Sequence, residues 1–326
     1  MMKERSLRAT ARKLVAKGKG ILAADESSGT IEKRFATINI ASTEKNRREW
    51  RELLFTTPGM EKFISGVILY DETLRQGLGK VLQKKGVIPG IKVDKGAKDM
   101  ALFPGEVVTE GLDGLRERLV EYAGLGAKFA KWRAVISIGR GIPTKECIEA
   151  NAHALARYAA VCQEVGLVPI VEPEVLMDGI HTISKCEQVT EVTLKAVFAE
   201  LKKYRIDLRG MLLKPNMVVS GSEAKTQAGA KQVARATVRV FKKVVPKQVP
   251  GCVFLSGGQS PDEATEILQE MNRLGKQPWE LSFSYGRALQ QEALQTWGGK
   301  AANVKAAQRA FYDRARKVSL AREGRL

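Results

Sequence analysis

A lysine, Lys214, interrupts the apolar run of "RGMLLKPNMVV". Burying an unpaired ammonium is costly enough to drive off its proton. The residue therefore either reaches water from a strand end or offers a neutral amine able to attack a carbonyl. Charged residues recur in similar settings: Asp25 in "GILAADE", Lys92 with Asp94 in "VIPGIKVD", Lys131 with Arg133 in "AKFAKWRAV", and Glu172 with Glu174 in "LVPIVEPEV". Side chains two apart on a strand share a face, so each pair acts from one side. If those faces converge, Lys131 crowds Lys214 with like charge and lowers its pKa, which favours an imine-forming nucleophile.

Anion-binding chemistry lies further along the chain. "LSGGQSPDE" offers Ser256, Gly257 and Gly258 in a loop that opens a helix, where free N–H groups and the helix dipole favour an anion. "SYGR" supplies Ser284, the Gly286 amide and the planar fork of Arg287. A third loop, "DESSGT", places the Ser27 and Thr30 hydroxyls where they serve either a second phosphate or a helix N-cap.

Eight short apolar or β-branched runs carry these residues: 20–26, 64–72, 87–94, 127–135, 167–175, 209–217, 252–259 and 279–286. Amphipathic stretches separate most of them, including "TEKNRREWRELLF", "LDGLRERLVEYAGLG", "ECIEANAHALARYAAVCQEVG" and "SPDEATEILQEMNRLG". The last opens with Ser260 as N-cap, Pro261 at the first helical position and Glu263 completing a capping box. Regular alternation of strand and helix predicts right-handed βαβ units and a parallel sheet. Eight strands close into a single (β/α)8 TIM barrel of the α/β class over residues 1–326, with the charged pairs at its carboxyl-end mouth. A doubly wound open sheet is the alternative, weakened by the lack of a G-x-G-x-x-G after the first strand. Residues 1–19 read as a helical extension burying Leu7, Leu14 and Val15, and residues 300–326 as a basic helix with a solvated charged face.

The composition narrows the function. The 326 residues are 44% hydrophobic and 28% charged, as in a globular protein with a sizeable core. No apolar run approaches the roughly 20 residues of a membrane span, and no secretory signal is apparent. Four scattered cysteines, Cys147, Cys162, Cys186 and Cys252, fit a reducing, cytoplasmic setting. With only His153 and His181, a three-histidine zinc site is impossible, so chemistry without metal or cofactor is the simpler expectation. The net charge of +18 suits small anionic substrates or a solvated basic face. Nucleic-acid binding lacks any accompanying motif.

In order, "ILAADESSGTIEKR", "GIKVDKG", "AKWR", "VPIVEPE", "LLKPNMV", "FLSGGQS" and "FSYGRALQ" resemble class I, Schiff-base fructose-bisphosphate aldolase across roughly residues 15–318. The resemblance implies a metal-independent enzyme on a (β/α)8 barrel, assembled as a homotetramer and acting on a sugar bisphosphate. By motif, Lys214 would be the imine-forming lysine, Glu172 the main proton shuttle, Asp25 a group positioning the reacting hydroxyls, Lys131 a cation beside the imine, and Glu174 an orienter of the cations. Ser256, Gly257, Gly286 and Arg287 resemble the C1-phosphate site; Ser27, Thr30 and Lys92 resemble the C6-phosphate site. Lys33 and Arg34 match basic residues at the rim, with Arg133, Gly258 and Ser284 as further substrate contacts. Many members carry a C-terminal tail ending in tyrosine that helps protonate the enamine. This sequence ends "SLAREGRL", so that step is expected to fall to Glu172 or a bound water.

Overall fold

A computed structural model describes residues 2–326. Its strands are β1 (Gly20–Ala24), β2 (Ile64–Leu69), β3 (Ile88–Lys92), β4 (Ala97–Asp99), β5 (Val107–Thr109), β6 (Phe129–Ile136), β7 (Val168–Val175), β8 (Leu212–Leu213), β9 (Gly251–Phe254) and β10 (Glu280–Tyr285). Eight of them close in the order β1-β10-β9-β8-β7-β6-β3-β2, every pairing parallel, while β4 and β5 form a separate antiparallel hairpin. All eight predicted runs contribute a barrel strand. A parallel strand is covered on both faces, which explains why β1, β2, β7 and β9 are buried along their whole length.

Alternate residues divide between two cores. Outward side chains such as Leu22, Val67, Trp132 and Val171 pack with the surrounding helices. Inward ones, among them Ile21, Phe129, Ile170 and Val253, join Leu7, Ala11 and Leu14 of the first helix, Met2–Leu14, in a smaller cluster at the amino end of the barrel. There Phe129 fills space that two glycines leave open: a Cβ at Gly90 would lie 2.3 Å from its ring, and one at Gly66 would lie 3.1 Å from it. Leu7, Leu14 and Val15 are buried, as the sequence predicts.

Three expectations need correction. The run 209–217 gives only the two residues of β8, preceded by a 3-10 turn at Leu208–Gly210. Pro215 has no N–H to continue the ladder, and its carbonyl instead accepts from the Leu255 N–H at 3.1 Å. The β4–β5 hairpin has no counterpart in the sequence reading, because Ala97–Asp99 is fully exposed and lacks an apolar alternation. Finally, the helix Val304–Arg322 does not carry all its cations to water. Arg314 and Arg322 are buried, and Arg322 donates to the carbonyls of Val15, Ala16 and Lys19 while pairing with Glu280 at 3.0 Å.

Candidate active site

Lys214 follows the last residue of β8, and its backbone N–H makes one more rung, to the Val171 carbonyl at 2.8 Å. Its side chain is 5% exposed and does not reach bulk water. Its Nζ lies 3.2 Å from Glu172 Oε1, and Lys131 Nζ lies 3.3 Å from Oε2 of the same carboxylate. Lys131 also contacts Asp25 Oδ2 at 2.7 Å. The result is a buried chain, Asp25–Lys131–Glu172–Lys214, of alternating charge. The two lysines meet across a carboxylate, so the direct crowding of Lys214 by Lys131 expected from sequence is moderated by Glu172.

Strand periodicity aims these groups. On β6, Phe129, Lys131 and Arg133 share the inward face, while Trp132 points outward against Tyr158, with ring centroids 5.5 Å apart. Parallel register pairs Lys92 with Lys131, and Arg133 with Glu172, on neighbouring strands. Burial alone would push the Asp25 carboxyl up, but Lys131 and Lys214 outweigh it and hold Asp25 well below the usual carboxylate range. Burial would likewise push Lys131 down, and Asp25 with Glu172 more than reverse this. Lys131 is therefore a fixed cation. Glu174 is ion-paired to Arg133, so the cation it holds is the guanidinium on β6. Asp94 joins Lys92 to this layer, accepting from Lys92 Nζ at 2.9 Å and from the Arg133 N–H at 3.3 Å. The hairpin braces it from outside, the Thr109 hydroxyl donating to the Arg133 carbonyl at 2.8 Å.

Two ends of the site carry donors for anions. Ser27 occupies the N-cap position of the helix Ser28–Ala36, yet its hydroxyl bonds the Thr30 hydroxyl at 3.1 Å instead of capping a backbone N–H. At the other end Gly257 adopts a φ of +50°, and a Cβ on Gly258 would come within 2.6 Å of the Met177 sulfur. Arg287 opens the helix Arg287–Trp297 and donates to the Gln259 carbonyl at 3.0 Å, tying the loops after β9 and β10 together. The Ser284 hydroxyl is buried without a hydrogen-bond partner among the described residues.

A cavity of about 480 Å³ joins these groups. It is lined by Asp25, Ser27, Thr30, Arg34, Lys92, Lys131, Arg133, Glu172, Glu174, Lys214, Ser256, Gly257, Gly258, Ser284, Gly286 and Arg287. Lys33 is the exception. It is exposed and lines an adjoining hollow of about 470 Å³ that shares Thr30, Arg34, Gly257 and Arg287 with the main cavity. Sequence reasoning missed Glu26, whose buried carboxylate pairs with Arg34 and, at 2.5 Å, with Arg51. Burial would push Glu26 up; the two arginines lower it. A signal existed: Arg51 sits on the apolar face of the helix Glu44–Thr56 beside Trp50 and Leu54, where a cation requires an anion. Among the described residues no cluster of three or more His, Cys, Asp or Glu is placed to hold a metal ion.

A closed eightfold barrel with a buried lysine–carboxylate chain at its mouth, flanked by two donor-rich ends, has the form of a barrel enzyme acting on a doubly anionic carbonyl compound. The family model for "Fructose-bisphosphate aldolase class-I" matches residues 6–326, and the chain belongs to that family. It is 55% identical over 323 residues to "Probable fructose-bisphosphate aldolase class 1" of Xanthomonas campestris, covering 97% of each chain. It is also 55% identical over 314 residues to "Fructose-bisphosphate aldolase 4, cytosolic" of Arabidopsis thaliana, covering 94% of this chain and 80% of the relative. The solved fructose-bisphosphate aldolase of Plasmodium falciparum, in complex with TRAP and a small-molecule inhibitor, superposes with a TM-score of 0.98 at 49% identity, covering 100% of this chain and 96% of that one.

Proposed function

We propose that this protein reversibly cleaves fructose 1,6-bisphosphate to dihydroxyacetone phosphate and glyceraldehyde 3-phosphate through an imine on Lys214. The carrying observation is the placement of Lys214 Nζ inside the barrel, 3.2 Å from one oxygen of Glu172, with the other oxygen held by Lys131. Glu172 takes the proton that frees the amine, and the amine adds to the C2 ketone of the open-chain sugar. Returned to the carbinolamine hydroxyl, that proton lets water depart and leaves a protonated imine. Glu172 then removes the C4 hydroxyl proton; the C3–C4 bond breaks, its electrons neutralise the imine, and glyceraldehyde 3-phosphate departs. Protonation of the enamine at C3 and hydrolysis release dihydroxyacetone phosphate and restore Lys214. Lys131, always charged, stabilises the electron-rich states, while Asp25 orients the reacting hydroxyls.

The flanking donors fix the phosphates. Ser256, Gly257, Gly286 and Arg287 receive the C1 phosphate; Ser27, Thr30 and Lys92 receive the C6 phosphate, with Arg34, held by Glu26, at the rim. Binding both ends converts remote contacts into alignment of the breaking bond. We further propose a homotetramer working in the cytoplasm. The cytosolic Arabidopsis relative and four cysteines that are all free thiols support the compartment. No helix is long and apolar enough to cross a membrane among the described residues.

Borohydride reduction in the presence of fructose 1,6-bisphosphate tests the imine. The expected product is a three-carbon phosphate adduct on Lys214, absent in Lys214→Met. An unlabelled wild type that still cleaves the sugar would refute the covalent route. Full activity in a strong chelator is the companion result expected of a reaction whose electron sink is the imine.

A further inference from the structure

A second sizeable cavity lies at the opposite end of the barrel from the mouth. It measures about 590 Å³ and is built from chain that precedes the strands: the end of the first helix, the turn before β8, and the loops before β9 and β10. Four cations converge on it, Arg12, Lys17, Arg209 and Lys247, and none has an ion-pair or hydrogen-bond partner for its side chain among the described residues. Other cations, such as Arg47, Arg116, Arg239 and Lys243, are matched to carboxylates; what singles out these four is that they share one concavity.

Two local features could oppose an anion here, and both are offset. Glu280 is the one carboxylate lining the cavity, and Arg322 pairs with it at 3.0 Å. The first helix also directs the negative end of its dipole toward this region, and the carbonyls just beyond its last turn add to it. Those of Val15, Ala16 and Lys19 accept from the same buried guanidinium. The rest of the wall is mainly apolar, formed by Val15, Ala16, Val249, Pro250 and Pro278, with Gln248 as a neutral polar side chain. Among the described residues no aromatic side chain lines it, so they offer no platform for stacking a base.

We propose that this concavity is a second anion site, for a compact chain of linked phosphates such as inorganic tripolyphosphate or the triphosphate of a nucleotide. The volume falls in the range of small-molecule sites. A recess with its cations around the rim favours a short polyanion that can enter over a stiff duplex whose phosphates stay outside. Because the site stands at the amino ends of the strands, its ligand does not compete with substrate for the mouth. It also gives part of the +18 net charge a specific task.

Isothermal titration of the full-length protein with tripolyphosphate and with ATP at low salt tests this, using R209E/K247E and, at the mouth, R287A. Neither Arg209 nor Lys247 has a side-chain partner to lose, so the double variant is expected to fold and to cleave fructose 1,6-bisphosphate as the wild type does. Tripolyphosphate should retain its binding to R287A at this site and bind R209E/K247E about tenfold more weakly or worse. Similar affinities for ATP and tripolyphosphate are expected, since only the phosphates are read. Binding unaffected by R209E/K247E, binding abolished by R287A alone, or ATP binding without tripolyphosphate binding would each overturn the proposal. So would a short DNA duplex that binds through Arg209 and Lys247 where tripolyphosphate does not.

Discussion

Two of the regions that bury cations, the barrel mouth and the last helix, differ in the partners they supply. In the barrel mouth, Lys131 and Lys214 lie against carboxylates, Glu172 on the strand between them and Asp25 just past the end of β1. In the last helix, Arg314 lies against the Ala288 carbonyl at 3.0 Å and Asp262 at 2.8 Å, while Arg322 is held chiefly by backbone carbonyls. A carboxylate can accept a proton and return it; a carbonyl only fixes the donor in place. Burial alone therefore does not mark a reactive cation. What distinguishes the mouth is a buried ammonium whose nearest partner is itself a base.

Substitutions can break this contrast in order of expected effect. Lys214→Met should lower kcat by about 10⁴-fold or more, since no other amine can form the imine, and stability should fall as well because Asp25 and Glu172 are left sharing Lys131 alone. Glu172→Gln keeps a polar group between the lysines but removes the base, and kcat for cleavage should fall on the order of 10²- to 10⁴-fold. Arg322→Met should spare kcat. Carbonyls at Val15, Ala16 and Lys19 lose their donor, and stability in urea should drop by about 3 kcal/mol with kcat of the folded enzyme unchanged. A kcat loss without a stability loss would erase the distinction drawn above.

Acid titration sharpens the same contrast with a smaller effect. Asp25 has a folded pKa below its unfolded value of about 3.9. It therefore contributes stability that is fully present above that value and is lost as pH falls through the lowered one. The stability gap between wild type and Asp25→Asn, measured by urea denaturation, should be constant from pH 7 to about 5 and shrink below about pH 4. A gap that widens on acidification would contradict the pairing with Lys131.

The barrel was legible because parallel strands buried on both faces must read as apolar runs, and charged residues at their carboxyl ends stand out against that background. Spacing of two residues placed Lys131 with Arg133 and Glu172 with Glu174 on one face, and the structure keeps both pairs there. Partner choice was not legible. Nothing in the spacing says that Glu174 takes Arg133, or that Glu172 stands between two lysines, because those distances are set by the stagger of neighbouring strands. The fate of Arg322 was hidden for a related reason: its acceptors are backbone carbonyls near residue 16, which leave no trace in residue type. Lys33 was carried to the site by motif, but helical geometry turns it one face away from Arg34, toward the adjoining hollow.

The phenyl ring of Phe129 also acts as a depth stop. Wedged where Gly66 and Gly90 leave no Cβ, it cannot sink further, and Lys131 stands two residues above it on the same face, roughly 7 Å higher at the strand's rise. The altitude of the fixed cation is thereby gauged from below by a packed hydrocarbon, so an alanine at position 90 would mistune the reaction without touching any polar atom.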